Sequence, residues 1–259
     1  MLVIRQAQMD ALRQVAVGQF EDDMVAHLKH FAPRHCEVIG EHAVRDAITL
    51  GVRRARQYGL TNCGPVRFYI ELLFMYGSDF DTDPQCVWAS QILNDRSFPD
   101  EMVKAERLHR SAMAFTEQMA GKDHVHAKNA LRRVHRLRFE DLPPLDEAFD
   151  TVMLDRLEQV HPEKVRALGR PTTRAVIDYG KTLPEQLSLA PERGTALCVG
   201  AMFALGHGFG RDPLLPWIAR TVTNRAISDS HARTRRLHAR IMTYLDHIIG
   251  GFENSGAQP

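Results

Sequence analysis

Three aspartates at alternate positions, Asp79, Asp81 and Asp83, stand in the stretch GSDFDTDPQCVW. Oxygen ligands at the first, third and fifth positions are how a calcium-binding loop of the helix–loop–helix kind begins. Such a loop also needs glycine at its sixth position for a sharp turn and glutamate at its twelfth for bidentate coordination. Counted from Asp79, those positions hold Pro84 and Ser90, so no calcium site is expected. A second stretch, GHGFGRDPLLPW, carries Gly, Phe, Asp-Pro and Trp at the same spacing without the first two aspartates. The shared Asp-Pro reads as a helix start. Aspartate caps a free backbone N–H, and proline fits the first helical position, where no N–H is needed. Asp83 and Asp212 are therefore expected as caps, with Phe80, Phe209, Trp88 and Trp217 packing the loops onto the core. Asp79 and Asp81 occur in one stretch only, and read as solvated loop residues or as part of a polar site confined to that half.

The histidines offer a second chemistry. His27, His30, His35 and His42 cluster around Cys36, and His27 and His30 lie one helical turn apart, a spacing that suits a transition metal. The matching positions of the second stretch of chain hold Arg156, Gln159, Lys164 and Pro171, so these histidines read as surface residues. His109 and His238 both sit in Arg-Leu-His. They read as helix-face histidines, since no nucleophile or second base stands at a recognisable spacing from either. YGKTLP lacks the glycine a P-loop needs five residues before Gly180, where Ala175 stands. GHGFG lacks the strand that must precede a dinucleotide fingerprint. Two basic stripes, Lys128, Arg132, Arg133 and Arg136, then Arg233, Arg236 and Arg240, have no aromatic residues beside them to stack bases. They read as solvated or acid-facing surface. No metal, cofactor or catalytic residue is assigned.

Composition limits the partners further. In 259 residues the formal net charge is +1, so there is no global attraction to nucleic acid or an anionic membrane. A hydrophobic fraction of 44% beside 25% charged residues suits a soluble globular protein with a real core. Four scattered cysteines form no C-x-x-C pair, which points to a reducing, cytoplasmic setting. The opening MLVIRQAQMD meets Arg5 and Asp10 too soon for a secretory signal. The most apolar run, ALCVGAMFAL, is about half the length a membrane crossing requires and reads as a buried helix.

These residues are positioned by a chain that matches itself. Displaced by 129 positions, residues 20–121 fall on 149–250 without a gap. Identities include Phe20/Phe149, Leu28/Leu157, Pro33/Pro162, Gly51/Gly180, Gly77/Gly206, Asp83/Asp212, Trp88/Trp217 and His109/His238. Helical spacing recurs throughout: Phe20, Met24, Leu28 and Phe31, then Val44, Ile48, Val52 and Ala55, then Val66, Tyr69, Ile70 and Leu73. Pro33, Gly59 and Gly77 end these segments, Thr61 is placed to cap the third, and helices follow over 84–93 and 98–120. The expected fold is all-α, two tandem, structurally similar repeats of about five helices each. Residues 1–121 hold the first repeat with an extra N-terminal helical segment, 122–148 a basic linker, 149–250 the second repeat, and 251–259 a tail.

The strings IRQAQMDAL, MVAHLKHFAP, GVRRARQYGL and YGSDFDTDPQCVWASQIL resemble an uncharacterised family of bacterial cytoplasmic proteins, over residues 4–95. Members are often encoded beside type VI secretion genes, near PAAR-tipped or other effector cargo. The resemblance implies a non-catalytic adaptor or chaperone that binds a secreted effector. An immunity protein that neutralises a cognate toxin is the alternative, and an enzyme with a pocket at the lobe junction, using His109 or His238 with Asp79, is a third. The partner-binding surface is assigned to Asp79, Asp81, Tyr69 and Tyr76, with a protein as partner and neither membrane nor nucleic acid.

Overall fold

A computed structural model describes residues 6–255 of the chain. Helices α1 (Gln6–Phe31), α2 (Pro33–Ile39), α3 (Glu41–Gln57), α4 (Cys63–Tyr76), α5 (Val87–Asn94) and α6 (Glu101–Ala120) make the first half. Helix α7 (Val125–His135) lies in the connector. Helices α8 (Phe149–Val160), α9 (Pro162–Gly180), α10 (Leu183–Gln186), α11 (Pro191–Leu205), α12 (Pro216–Val222) and α13 (Ser230–Ser255) make the second. Among the described residues there is no strand, and no helix is long and apolar enough to cross a membrane. The all-α class follows from the 3.6-residue period of the apolar positions.

Each half buries its own core. One cluster gathers Met24, Leu28, Ile48, Tyr69, Leu73 and Phe80, and the other Met153, Leu157, Ile177, Met202, Phe209 and Leu237. Of the expected face of α1, Met24 and Leu28 are buried, while Phe31, at the helix end, is 42% exposed and stacks on His27. Gly51 and Gly180 allow the closest helix contacts. A Cβ at Gly51 would meet Ile70 Cγ1 at 2.6 Å, and one at Gly180 would meet Val199 Cγ2 at 2.5 Å. Any larger residue would force α3 from α4, or α9 from α11.

Several boundaries depart from the sequence expectation. Thr61 does not cap α4; instead the Glu101 carboxylate accepts from the Thr61 and Asn62 N–H groups at 2.6 and 2.9 Å, tying α4 to α6. The helix expected from Pro84 opens as a short 3-10 turn, Pro84–Cys86, before α5. After Asp212 a turn intervenes, and α12 starts only at Pro216, whose ring suits a first helical position. Pro184 stands where Ala55 stands in the first half, and the continuous α3 has as its counterpart the separate end of α9 and α10. The basic linker is itself folded. Ala130, Leu131 and Val134 give α7 an apolar stripe beneath its charges, and α7 packs on α13 and α6. Of the expected tail, 251–255 continue α13, while 256–259, like residues 1–5, lie outside the described residues.

The halves meet through reciprocal aspartates. Asp83 Oδ1 accepts from the N–H of Gln85 at 2.7 Å, and its Oδ2 accepts from the N–H of His207 across the contact at 2.7 Å. Asp212 Oδ1 accepts from the N–H of Leu214 at 2.8 Å, and its Oδ2 from the N–H of Ser78 at 2.8 Å. Gly77 and Gly206 lie back to back between them, with φ of 95° and 93°. A Cβ on either would sit 2.7 Å from a carbonyl oxygen of the other half. The helix cap expected at Asp83 is present, on a 3-10 turn, whereas Asp212 closes a turn ahead of α12, whose N-cap is Leu215; each aspartate also bonds the opposite half. Asp83→Ala or Asp212→Ala should each orphan two buried N–H groups and cost about 2–5 kcal/mol, read as a fall in the urea midpoint.

Candidate ligand cavity and its polar wall

A cavity of about 540 Å³ lies where the halves and the connector helix meet. Its apolar walls include Phe115, Met119, Leu131, Met153, Leu197 and Met242. The volume is that of a small-molecule site, and such a lining with a few polar groups is the usual composition of one. The space exists because α11 presents small residues to it. Ala196, Gly200, Ala201 and Ala204 line the cavity, where the 129-residue counterparts on α4 are Arg67, Glu71, Leu72 and Met75.

Few polar groups reach this cavity. The Lys164 ammonium donates to the carbonyl of Phe203 and lies 4.7 Å from the centroid of the Phe203 ring. Burial holds Lys164 below an ordinary lysine, against the raising influence of Asp83 and Cys86. Lys164 lines the cavity. Its counterpart His35 packs edge-on against Phe74, the counterpart of Phe203, and its Nδ1 lies 3.2 Å from the Tyr244 hydroxyl. Burial lowers His35 to about 4, so it is neutral at pH 7. Gln85 donates from Nε2 to the carbonyl of Met202 at 2.9 Å, while its Oε1 is buried without a partner. His238 also lines the cavity, with Nε2 buried and unpartnered and its ring edge-on to Phe139. Burial lowers its pKa.

Asp83 and Asp212 border the same space but titrate in opposite directions. Burial pushes both up. At Asp83 the hydrogen bonds from His207 and from the Gln85 N–H outweigh burial and hold the carboxyl below the usual range. At Asp212 burial wins and carries the carboxyl to about 6.

Of the four residues assigned to a partner surface, three are buried and Tyr76 is partly exposed. Asp79 and Asp81 are each 3% exposed and Tyr69 is fully buried, so the solvated-loop reading is corrected. Tyr76 lines the cavity and donates to the carbonyl of Ala112 at 2.9 Å. Asp79 is clamped between Arg54 of its own half and Arg211 of the other, the latter at 2.8 and 3.0 Å. Burial alone would raise it, but the two guanidiniums hold it low. Asp81 accepts from Tyr69 at 2.8 Å, Tyr58 at 3.0 Å and Arg54 at 3.2 Å. Tyr58 and Tyr69 are both pushed up by burial and by Asp81, Tyr58 to about 12. The counterparts of Arg54, Tyr58, Tyr69 and Asp81 are Leu183, Leu187, Cys198 and Gly210. At the 129-residue offset, the buried ionic cluster of one half is matched in sequence by apolar and small residues in the other. That joint exchange was readable across the 129-residue offset and identifies Arg54 and Tyr58, which residue-by-residue reading passes over.

The remaining candidates stay apart. His27 Nε2 lies 2.7 Å from Glu71 and its Nδ1 2.9 Å from Arg67, and His30 is exposed. His109 is exposed against Phe68, away from the cavity that His238 lines. Neither histidine meets Asp79, whose carboxylate is occupied by arginines. Arg132, Arg136, Arg236 and Arg240 are exposed, whereas Arg233 is bonded to the carbonyls of Ser188 and Ile227. Among the described residues no group of three His, Cys, Asp or Glu converges as a metal site.

Two outcomes follow. Asp81→Ala strands Tyr58, Tyr69 and part of Arg54, and should cost about 3 kcal/mol in denaturant titration. Asp212, raised from 3.8 to about 6 in the fold, contributes stability that is fully present below pH 4 and lost as pH rises through 6. The stability of Asp212→Asn relative to the native chain should therefore improve between pH 4 and pH 7, by differential scanning calorimetry. Comparison of the chain with protein-family models, with curated proteins and with solved structures gives no match in any of the three.

Proposed function

We propose that the chain is a non-catalytic binding protein that receives an apolar ligand in the cavity between its halves. The observation that carries this reading is the cavity itself, about 540 Å³ of apolar-walled space left by the small residues of α11. Concave, mostly apolar space of this size with a few polar groups on its wall is the usual form of a small-molecule site. The effector-adaptor role implied by the resemblance was assigned to Asp79, Asp81, Tyr69 and Tyr76. With three of these buried, and Tyr76 on the cavity wall, the proposal moves binding from that loop to the cavity.

The two halves belong in the same proposal, as tandem, structurally similar repeats from one duplicated helical unit. The gapless 129-residue offset, the paired close-contact glycines at 51 and 180, and the reciprocal bonds of Asp83 and Asp212 support it. On this reading the repeats first served folding, and the second then exchanged large and charged residues of α4 for small ones in α11.

Gly200 allows a clean test. A Cβ placed there meets nothing within 4 Å, and the residue faces the cavity from a helix interior. Gly200→Leu should leave the fold intact and raise its stability by about 1 kcal/mol through helix propensity. It should also abolish the fluorescence enhancement of N-phenyl-1-naphthylamine, a neutral apolar probe. Unchanged probe binding in this variant would defeat the proposal.

A further inference from the structure

The cavity is apolar along its length but not uniform. At one place the Lys164 ammonium and the Gln85 amide bond the adjacent carbonyls of Phe203 and Met202 in the last turn of α11. The ammonium has three donors, and one is used on the Phe203 carbonyl. The other charged groups of the wall are already engaged. Asp83 and Asp212 each accept backbone N–H bonds on both oxygens. Asp141 is held by Arg138 at 3.1 Å, and Arg156 is exposed at the rim beside Gln159. His35, the counterpart of Lys164, is neutral and bonded to Tyr244. Lys164 is thus the one lysine lining the cavity among the described residues, and it has no hydrogen-bonded carboxylate. A cation in mostly apolar surroundings is costly without a hydrogen-bonded anion; Asp83 attracts it only through space, and burial already weakens its hold on the proton.

We propose that the cavity binds an amphipathic carboxylic acid, its carboxylate on Lys164 Nζ and its hydrocarbon chain along Met153, Leu157, Leu197 and Met242. This rests on the cavity being a ligand chamber and names the chemistry of its occupant. The ammonium supplies charge-assisted donors to the carboxylate, and a remaining N–H can turn to the free Gln85 Oε1. The methionine walls adapt to a flexible chain without a fixed shape. A neutral alcohol of the same length fills the same space but leaves the ammonium without its anion, and an alkylammonium adds a like charge.

The test displaces N-phenyl-1-naphthylamine from the full chain with dodecanoate, dodecanol and dodecylammonium at equal concentrations. Dodecanoate should compete best, by roughly ten-fold or more over dodecanol, and dodecylammonium worst. Lys164→Met, checked for native helicity by circular dichroism, should erase the preference while still binding dodecanol, and Lys164→Arg should keep it. In the native chain the preference for dodecanoate should also fade as pH rises and Lys164 loses its proton, with dodecanol binding unchanged. Equal competition by acid and alcohol in a chain that binds the probe would overturn the carboxylate assignment alone. A preference that survives Lys164→Met would do the same. Failure of the native chain to bind the probe or any of the three would remove the chamber reading and this inference together.

Discussion

The contact on which the rest of the molecule depends is the exchange of backbone hydrogen bonds between two aspartates. Each carboxylate closes a turn in its own half with one oxygen and takes an N–H from the opposite half with the other. Both are nearly free of solvent, so each bond replaces water that is no longer available. The arrangement works only because Gly77 and Gly206 let the two backbones touch. It fixes the ends of α4 and α11 against each other, and those helices carry the walls of the cavity. Asp79 adds a second tie, an ion pair to Arg211 across the same contact.

Beside that contact, residues matched at the 129-residue offset pack in two different ways. In the first, Arg54, Tyr58, Tyr69 and Asp81 form a buried hydrogen-bonded cluster in which every carboxylate oxygen has a donor. In the second, Leu183, Leu187, Cys198 and Gly210 occupy the equivalent positions without charge. Buried ion pairs and apolar groups of matching shape are close in net stability, because desolvation offsets most of the Coulomb gain. Either solution holds the loop, but a mixture would strand a charge. This accounts for the four positions differing together.

The cavity arises from a different exchange. Positions that carry Arg67, Glu71, Leu72 and Met75 on α4 carry Ala196, Gly200, Ala201 and Ala204 on α11. The connector helix α7 closes over the resulting space with Leu131 and Val134. Lys164 and His35, 129 residues apart, then place a buried lysine on one part of the wall and a neutral imidazole on another. The connector is therefore part of the chamber rather than a tether between two lobes.

Much of this was legible in the residues alone. The helical period of apolar positions, with Pro33, Gly59 and Gly77 as stops, determined the all-α class and most helix limits, because these are local preferences of the backbone. Asp-Pro announced the helix cap at Asp83, whereas at Asp212 the same pair closes a turn and the helix starts later, at Pro216. What only the tertiary structure decided was the environment of each polar side chain. Asp79 and Asp81 resemble solvated loop residues until Arg54 and Arg211, distant in sequence, close on them. The second oxygen of each capping aspartate finds its donor more than a hundred residues away. The cavity is a space bounded by eight helices, and a space has no residues of its own to read. Burial and partnership are sums over the whole packed chain, whereas helix and turn are chosen within a few residues.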